Sequence, residues 1–364
     1  MYKKTVRSVL ICLLVLFFII QTTYVHAQTK TNQNLNPVII TFQDKNFEQI
    51  VRNLTNKPTG AIFKSDVEKI RELRVYNTKS ISGIESFINL RVLNLEGNQI
   101  NNIDAIRGLK NLSELWLFGN KISNINALKG LKNLTKLNLG YNQITNIDAL
   151  ESLTNLKVLW LLGNKISDIS ALKGLKNLTD LSLGDNQIVN IDALQGLVNI
   201  KVLYLNTNHI TKIDALKRLT KLSDLTLSNN KIIKIDALEK LKNLKKLYLD
   251  NTNVNKLDAI KNLTNIEELW LDSNVITNVE ELRNLTNLRV LSLHDNKIFN
   301  IDVLSRLTSL EILWINGNKI TNIDSLKELK NLFELYLGNN LISDFTPVSS
   351  YYEKLMRKDF KIKQ

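Results

Sequence analysis

From Leu90 to Leu332 the sequence repeats every 22 residues, through eleven consecutive units without an insertion or a deletion. In the unit from Leu134 to Asn155, apolar residues hold positions 1, 4, 6, 11, 14, 17 and 20, and asparagine holds position 9. A chain of this kind folds as stacked copies of one short unit, because no unit can bury its apolar edge alone. The repeat therefore predicts an elongated solenoid and disfavours most enzyme folds.

The spacing of the apolar residues predicts what each unit contains. Leucines at positions 4 and 6 have the period of two that a short strand requires, and positions 14, 17 and 20 have the period of three of a 3₁₀ segment. This is the pattern of a leucine-rich repeat, L-x-x-L-x-L-x-x-N-x-I-x-x-I-x-x-L-x-x-L. We predict an α/β solenoid: a right-handed superhelix with a parallel β-sheet on the concave side, 3₁₀-type returns on the convex side and a helical N-terminal cap.

Two polar positions of the repeat are assigned to the scaffold. Position 9 is asparagine in every unit except one, where Thr252 replaces it. An amide both donates and accepts, so we expect these side chains to pair buried backbone groups where the chain leaves the strand. Position 15 is usually aspartate, as in Asp104 and Asp148, and we expect its carboxylate to cap the helical return.

The first 27 residues have the pattern of a secretory signal peptide. Basic residues from Lys3 to Arg7 precede an apolar run over residues 9–20, and the small residue Ala27 ends the stretch. Twelve apolar residues are too few to span a bilayer comfortably. We therefore expect export and cleavage before Gln28. The sequence contains no L-P-x-T-G motif, which is the signal for covalent attachment to a cell wall.

The segment before the repeats has another character and predicts a cap over the first repeat. Asp44 is placed to cap a helix that carries Phe47 and Leu54 on one face, and Ser65 with Glu68 forms a capping-box pattern for a second short helix. The predicted domains are a signal peptide (1–27), an N-terminal linker and helical cap (28–69), the leucine-rich-repeat domain (70–348), and a C-terminal cap with a basic tail (349–364).

Composition narrows the classes of function. The single cysteine, Cys12, lies in the predicted signal peptide. Outside the signal peptide the sequence has two histidines, His209 and His294, which are four units apart. The sequence shows no serine–histidine arrangement, zinc spacing or glycine-rich phosphate loop, so we expect no enzyme, no cofactor and no metal site. The formal charge of +13 is concentrated on the convex returns, for example at Lys129 and Lys132.

Position 5 of the repeat is the strongest candidate for a binding surface. It lies between two buried leucines, so its side chain points the other way, into the concave hollow. Seven of its twelve residues are aromatic, and all four tryptophans of the protein are among them. Down the chain, position 5 is occupied by Asn94, Trp116, Asn138, Trp160, Ser182, Tyr204, Thr226, Tyr248, Trp270, Ser292, Trp314 and Tyr336.

We predict that a protein partner binds to this row and its neighbours, because exposed tryptophan and tyrosine dominate protein interfaces. Acidic residues become denser after Asp250, which favours a partner with basic groups toward the C-terminal half. We expect the rings to face solvent in the unbound protein, so that their replacement barely affects folding. The predicted contact residues are Trp116, Phe118, Trp160, Tyr204, Tyr248, Trp270, Asp272, His294, Trp314 and Tyr336.

Three alternatives remain open from the sequence. The rings could stack on one another and only stiffen the sheet. They could form a platform for an extended glycan, with polar partners for the sugars at Asn94, Asn138, Ser182, Asn206 and Ser292. The basic convex face could adhere weakly to anionic wall polymers or to a membrane surface. Nucleic acid is not expected as a partner of an exported chain, and we expect a monomer.

Together these features resemble the internalin family of secreted bacterial leucine-rich-repeat proteins. The resemblance covers roughly residues 38–348 and rests on the 22-residue unit, N-K-I-S-D-I-S-A-L from Asn164, I-S-D-F-T-P-V from Ile342, and the F-x-D-x-N-F pattern that begins at Phe42. It implies a secreted protein, with non-covalent retention at the cell surface left open. It also implies binding of another protein, such as a host or surface protein, through the concave face.

Overall fold

The computed structural model describes residues 38–362; the predicted signal peptide lies outside them. Each repeat contributes one three-residue strand and one 3₁₀ helix, and every strand pairs in parallel with its neighbours in the chain. The described strands are β1 (Glu72–Arg74), β2 (Val92–Asn94), β3 (Glu114–Trp116), β4 (Lys136–Asn138), β5 (Val158–Trp160), β6 (Asp180–Ser182), β7 (Val202–Tyr204), β8 (Asp224–Thr226), β9 (Lys246–Tyr248), β10 (Glu268–Trp270), β11 (Val290–Ser292), β12 (Ile312–Trp314), β13 (Glu334–Tyr336) and β14 (Arg357–Lys358).

Helical segments form the N-terminal cap and the convex side. The cap contains the α-helices α1 (Lys45–Thr55) and α2 (Lys64–Val67). The 3₁₀ helices are Ile84–Ser86, Asp104–Ile106, Asn126–Leu128, Asp148–Leu150, Ser170–Leu172, Asp192–Leu194, Asp214–Arg218, Asp236–Leu238, Asp258–Ile260, Glu280–Asn284, Asp302–Arg306, Asp324–Leu326 and Thr346–Lys354. The predicted parallel sheet and 3₁₀ returns are thus confirmed.

A single column of leucine and isoleucine side chains fills the interior. Equivalent positions pair strand to strand, as Leu181 of β6 does with Leu159 and Leu203, so each apolar position stacks on its copy in the next unit. All seven apolar positions of the unit beginning at residue 178 are buried: Leu178, Leu181, Leu183, Ile188, Ile191, Leu194 and Leu197. The position of every core side chain therefore follows directly from the repeat.

The position-9 asparagines form a ladder of hydrogen bonds, as predicted. The Nδ2 atom of Asn186 donates to the carbonyl oxygens of Leu161 and Leu183, at 3.0 and 3.1 Å. Its Oδ1 atom accepts a hydrogen bond of 3.0 Å from the Ile166 amide in the preceding unit. Each such asparagine therefore joins two consecutive turns through backbone groups that water cannot reach.

A second asparagine row, at position 22, was not singled out from the sequence. The Nδ2 atom of Asn133 donates to the Lys110 carbonyl oxygen in the preceding unit at 2.9 Å, and Asn155 repeats this bond with Lys132. These side chains lie at the opposite end of the unit from position 9 and are exposed. Their recurrence every 22 residues was the available signal.

Thr252 interrupts the position-9 ladder. Its hydroxyl lies 2.9 Å from the Leu249 carbonyl oxygen and 2.7 Å from Oδ1 of Asn274. An asparagine here would accept from the Ile232 amide and donate to the Leu227 carbonyl oxygen, as its counterparts do. Among the described residues, Thr252 makes no hydrogen bond to either group, so the ladder is incomplete between β8 and β9.

We expect Thr252→Asn to raise the free energy of unfolding by about 1 kcal/mol, because it supplies the missing hydrogen bond to a buried amide. Chemical denaturation of the variant and the parent measures the change. Thr277→Asn, at an exposed position of the next unit, is the matched control and should leave stability unchanged. A Thr252→Asn variant no more stable than the parent would contradict this account of the ladder.

The predicted capping role of position 15 is wrong. The 3₁₀ helices of the repeats begin at that residue. Where position 13 is asparagine or aspartate, the position-15 amide donates to its side chain: the Asp104 amide donates to Oδ1 of Asn102 at 2.7 Å, and the Ser170 amide donates to Asp168 at 2.8 Å. In those units position 13 is therefore the capping position. Position 13 is lysine in three units, at Lys212, Lys234 and Lys256, and offers no acceptor there. The carboxylate of Asp104 instead pairs with Arg107 on the exposed surface.

The N-terminal cap is held on the first repeat mainly by aromatic packing. Asp44 caps α1 as predicted, accepting from the amides of Asn46 and Phe47. The Phe47 ring is fully buried, with its centroid 6.3 Å from that of Phe87 in the first repeat. Leu54, predicted on the buried face, is instead exposed.

The start of α2 differs from the predicted Ser65–Glu68 capping box. The N-cap is Phe63 instead of Ser65, two residues earlier, so the helix begins at Lys64, and the Asp66 carboxylate accepts from the Phe63 amide at 2.8 Å. In a capping box, the side chain three residues after the N-cap accepts from the N-cap amide. Asp66 and Glu68 can both do this, each with a different N-cap residue, so the sequence pattern alone did not distinguish the two helix starts.

The C-terminal end of the solenoid is covered by residues 346–362. Val348 and Tyr351 of the last 3₁₀ helix are buried against the final repeat, and the Tyr351 hydroxyl donates to the Leu326 carbonyl oxygen at 2.8 Å. Strand β14 then extends the sheet beside β13. Within residues 38–362, no helix is long and apolar enough to cross a bilayer.

Candidate binding site on the concave face

The position-5 side chains lie at the C-terminal end of each strand and form one row across the sheet. Register places Trp116 beside Asn138 and Asn138 beside Trp160. The two tryptophan rings are two strands apart, yet their centroids are only 5.9 Å apart, in an edge-to-face arrangement. Two strand spacings are about 9.6 Å. The rings therefore lean toward each other over Asn138, which is buried.

Four rings make a larger group toward the C-terminus, here called the C-terminal aromatic cluster: Tyr248, Trp270, Trp314 and Tyr336. Tyr248 stacks on Trp270 with centroids 5.9 Å apart, and Trp314 meets Tyr336 edge-to-face at 5.7 Å. Trp270 and Trp314 meet edge-to-face at 5.2 Å, over a fully buried Ser292. Small residues between the rings permit these contacts, since a larger side chain would hold them apart.

Polar atoms hold some of these rings in place. The Tyr248 hydroxyl donates to Glu268 at 2.8 Å, and the Trp314 indole Nε1 donates to Glu334 at 3.1 Å. Burial and the Glu268 carboxylate raise the pKa of Tyr248, so it stays a neutral donor. The Nε1 atom of Trp270 is buried and has no hydrogen-bond partner among the described residues.

The other predicted aromatic residues lie apart from this cluster. Tyr204 is 40% exposed and stands between Ser182 and Thr226, in the middle of the row. Phe118, two residues beyond Trp116, meets Tyr141 edge-to-face at 5.2 Å. The predicted row is thus a tryptophan pair, a single tyrosine and a cluster of four rings.

The C-terminal aromatic cluster is only partly exposed. We expected rings that face solvent; this is wrong for the cluster, because its rings bury one another. The effect of their removal on folding stays a prediction. Trp160 and Tyr204, at 39% and 40% exposure, fit the expectation better. The difference arises because rings on adjacent or alternate strands of a curved sheet converge toward the centre of curvature.

Asp250, Asp272 and His294 occupy position 7 of three consecutive units, two residues beyond Tyr248, Trp270 and Ser292; we call them the position-7 row. Oδ1 of Asp272 accepts from the His294 amide at 3.1 Å and from the Ser292 hydroxyl. The His294 ring Nε2 lies 3.5 Å from Oδ2 of Asp272. The row thus brings together two of the predicted contact residues, Asp272 and His294.

The first member of the row is less completely paired. Oδ2 of Asp250 accepts from the Ser228 hydroxyl at 2.7 Å. Its other oxygen, Oδ1, is buried and has no hydrogen-bond partner among the described residues. The role of Ser228 and Ser292 was missed from the sequence, although alignment of the units places both beside position-7 aspartates.

Burial dominates the electrostatics of the position-7 row. It raises the pKa of Asp272 to about 6, with the neighbouring Asp250 carboxylate acting in the same direction, and it also raises the pKa of Asp250. Glu334, which is buried to the same degree, has Arg357 at 3.6 Å. Within residues 38–362, no lysine or arginine lies within ion-pair distance of Asp250 or Asp272.

The raised pKa of Asp272 predicts a pH-dependent stability. The pKa of Asp272 is about 6 in the folded chain and near 3.8 in the unfolded chain, so the folded chain holds the proton more tightly. The protonated carboxyl therefore contributes to the free energy of unfolding in full below pH 3.8, and this contribution is lost as the pH rises through about 6. We expect Asp272→Asn, which keeps an acceptor oxygen, to be more stable than the parent at about pH 7 by about 2 to 3 kcal/mol and to lose this advantage near pH 4.

Denaturation of both proteins across this pH range measures the effect, with the exposed Asp258→Asn as the control. A difference between Asp272→Asn and the parent that does not change with pH would contradict the burial of a charged carboxylate. The charged and titratable groups that face Asp272 are the Asp250 carboxylate and the His294 ring, which itself lies 3.1 Å from Asp295.

Over residues 38–362, histidine and carboxylate side chains nowhere assemble into a group of three suited to hold a metal ion. The position-7 row lies two residues beyond position 5 in each unit and forms a polar margin of the C-terminal aromatic cluster.

The repeats match the family model of leucine-rich repeats (two copies) over residues 88–130, 132–174, 176–218, 220–265 and 308–350, more than half of the chain. No curated protein matches the chain. Among solved structures, an internalin of Listeria monocytogenes (inlF) is similar with a TM-score of 0.87 and 30% sequence identity, over 91% of this chain and 100% of that one.

Two further structures are similar. A leucine-rich-repeat protein of Leptospira interrogans has a TM-score of 0.76 and 29% identity, over 90% of this chain and 87% of its own. Internalin C2 of Listeria monocytogenes has a TM-score of 0.56 and 33% identity, over 61% of this chain and 98% of its own. The chain belongs to the internalin-like family of bacterial leucine-rich-repeat proteins.

Proposed function

We propose that this protein is secreted or surface-associated and binds a folded protein partner on its concave face. The observation that carries the proposal is the row of aromatic side chains at position 5, which holds every tryptophan of the protein. Large aromatic side chains that are partly buried at the centre of a surface and surrounded by polar groups are typical of residues that dominate protein binding. Export is inferred from the signal-peptide pattern over residues 1–27.

The aromatic contacts within the row favour protein binding over mere stiffening of the sheet. Edge-to-face and stacked pairs do stabilise the sheet, but pairing does not account for Trp160, Tyr204 and Phe118, which remain about 40% exposed. Aromatic residues already fixed by neighbours lose little conformational freedom on binding. The ring clusters are therefore well suited as anchors for a partner.

Burial of the intervening polar residues disfavours a glycan platform. Sugars that stack on a ring need polar side chains beside it to hold their hydroxyl groups. The sequence offered five residues for this purpose. Asn138, Ser182 and Ser292 are buried, and Ser292 already donates to Asp272, whereas Asn94 and Asn206 are half-buried. Three of the five residues are therefore not accessible to a sugar.

Adhesion through the basic convex face is also disfavoured. Several of its basic side chains already pair with acidic residues of the same turn: Lys217 lies 2.8 Å from Asp214, and Lys330 lies 2.9 Å from Glu328. Lys129 and Lys132 remain exposed and separate from the concave face. Charges so exposed are screened within about 10 Å at physiological salt.

The test is capture of surface proteins by the immobilised purified protein, in parallel with a glycan array. Trp160→Ala combined with Trp314→Ala removes one ring from each group, and Lys129→Gln combined with Lys132→Gln is the matched control on the convex face. We expect the lysine variant to retain a specific protein that the tryptophan variant loses. Retention that depends on the lysines and disappears with salt, or binding of glycans alone, would overturn the proposal.

A further inference from the structure

We propose that the protein partner inserts a cationic side chain, arginine or lysine, between the C-terminal aromatic cluster and the carboxylates of Asp250 and Asp272. The inference rests on the proposed function and adds the chemical identity of the group that is recognised. It follows from three observations on neighbouring units within residues 38–362: buried carboxylates without a lysine or arginine partner, a buried carboxylate oxygen without a hydrogen-bond donor, and aromatic rings in the same two units.

The basic residues of this region are already engaged elsewhere. Lys246 lies 2.7 Å from Glu268, and Lys245 lies 3.0 Å from Glu267 on the adjacent unit. Arg289 binds Glu311 through two hydrogen bonds of 2.8 and 2.9 Å. These pairs occupy positions 2 and 3 of the repeat, so they leave the carboxylates at position 7 without a lysine or arginine partner among the described residues; the His294 ring is the basic group beside them.

Comparison with Glu334 shows that the missing cation is particular to the position-7 row. Glu334 is 4% exposed and Asp272 is 5% exposed. Glu334 has an arginine within 3.6 Å and an indole donor from Trp314, whereas Asp272 has only a hydroxyl, a backbone amide and the His294 ring. A buried carboxylate without a cation is costly, because burial removes its hydration and nothing of opposite charge replaces it.

Hydrogen bonding at the site is also incomplete. Oδ1 of Asp250 can accept a hydrogen bond, yet this atom is shielded from solvent and has no partner among the described residues. Oδ1 of Asp272 is occupied within the protein, since it accepts from the Ser292 hydroxyl and the His294 amide. Oδ1 of Asp250 has no such internal role in the described part of the chain. A guanidinium or ammonium group supplies the donors that a free carboxylate oxygen lacks.

The rings beside the carboxylates complete the recognition. Tyr248 and Trp270 lie two residues before Asp250 and Asp272 on the same two units, and their stacked planes differ by only 21°. A cation near an aromatic face is attracted by the electrons of the ring, and arginine stacks on such faces. An anionic or neutral side chain gains neither interaction, so the site discriminates by charge.

The four tryptophans provide a direct assay, because each gives one indole signal in a ¹⁵N–¹H spectrum and all lie in the position-5 row. The probe is the peptide Ac-Gly-Arg-Gly-NH₂ at millimolar concentration, with the citrulline peptide as its neutral counterpart of the same shape. We expect saturable shifts of the Trp270 and Trp314 signals with the arginine peptide, at least fivefold smaller shifts with citrulline, and unmoved signals for Trp116 and Trp160.

Variants assign the effect to the carboxylates. Asp250→Asn combined with Asp272→Asn should abolish the titration, while Asp180→Asn, on the same face at β6, should preserve it. Equal shifts with citrulline, or an unchanged titration in the double variant, would overturn the inference. Denaturation curves for each variant exclude unfolding as the cause of a lost signal.

The same double variant separates this inference from the proposed function. A captured partner that requires the tryptophans but binds the Asp250→Asn, Asp272→Asn protein undiminished overturns the cation site and leaves protein binding intact. A positive arginine titration without any captured protein overturns the proposed function and supports the cation site. Loss of both titration and capture in the double variant supports the two together.

Discussion

Replacing Trp270 by alanine should weaken partner binding by about 2 kcal/mol or more, roughly thirtyfold in the dissociation constant. Trp270 is the centre of the C-terminal aromatic cluster, stacked on Tyr248 and in edge contact with Trp314. Its loss removes one contact surface for the partner and also releases both neighbouring rings. Isothermal titration or surface plasmon resonance with the captured partner measures the change.

Stability must be measured alongside binding, because Trp270 is half-buried. We expect Trp270→Ala to lower the free energy of unfolding by about 1 to 2 kcal/mol, less than for a fully buried ring. Phe299→Ala is the matched control, since Phe299 is an aromatic side chain 63% exposed outside the row, and it should bind as the parent does. A Trp270→Ala protein that is destabilised yet binds with unchanged affinity would show that the cluster serves only the scaffold.

Replacing Asn186 by alanine should lower the free energy of unfolding by about 3 kcal/mol, within the range for breaking several buried hydrogen bonds at once. The change leaves the buried amide of Ile166 without its side-chain acceptor. It also removes one of the two asparagine donors to each of the Leu161 and Leu183 carbonyl oxygens, which keep only Asn164 and Asn208. Because each unit contacts only its neighbours, the loss also weakens coupling across the middle of the solenoid.

Chemical denaturation followed by circular dichroism tests this, and we expect both an earlier and a broader transition. Gln187→Ala, the adjacent and exposed residue of the same unit, is the control and should unfold with the parent. An Asn186→Ala protein that unfolds at the same denaturant concentration as the parent would contradict a structural role for the ladder.

The sequence predicted the repeat scaffold well because its determinants are local and periodic. Leucine spacing identified strands such as β6 and its return Asp192–Leu194, and the need to pair buried backbone groups identified the role of Asn186. Prediction failed where two neighbouring polar residues competed for one role. Asn102 and Asp104 both carry a side-chain oxygen able to accept from an amide, and only the backbone path shows that Asn102 does so.

The position-5 row could be read from alternation along each strand, so its aromatic content was determined by sequence alone. How the rings are grouped was decided by tertiary structure: curvature brings Trp270 within 5.2 Å of Trp314 over Ser292 and leaves Tyr204 alone. That Asp250 and Asp272 have no lysine or arginine within ion-pair distance in the described part of the chain was also decided by the tertiary structure. Whether a carboxylate has a basic partner depends on which lysine and arginine side chains of neighbouring units reach it. The repeat pattern gives the position of each residue within its unit but not these side-chain contacts between units.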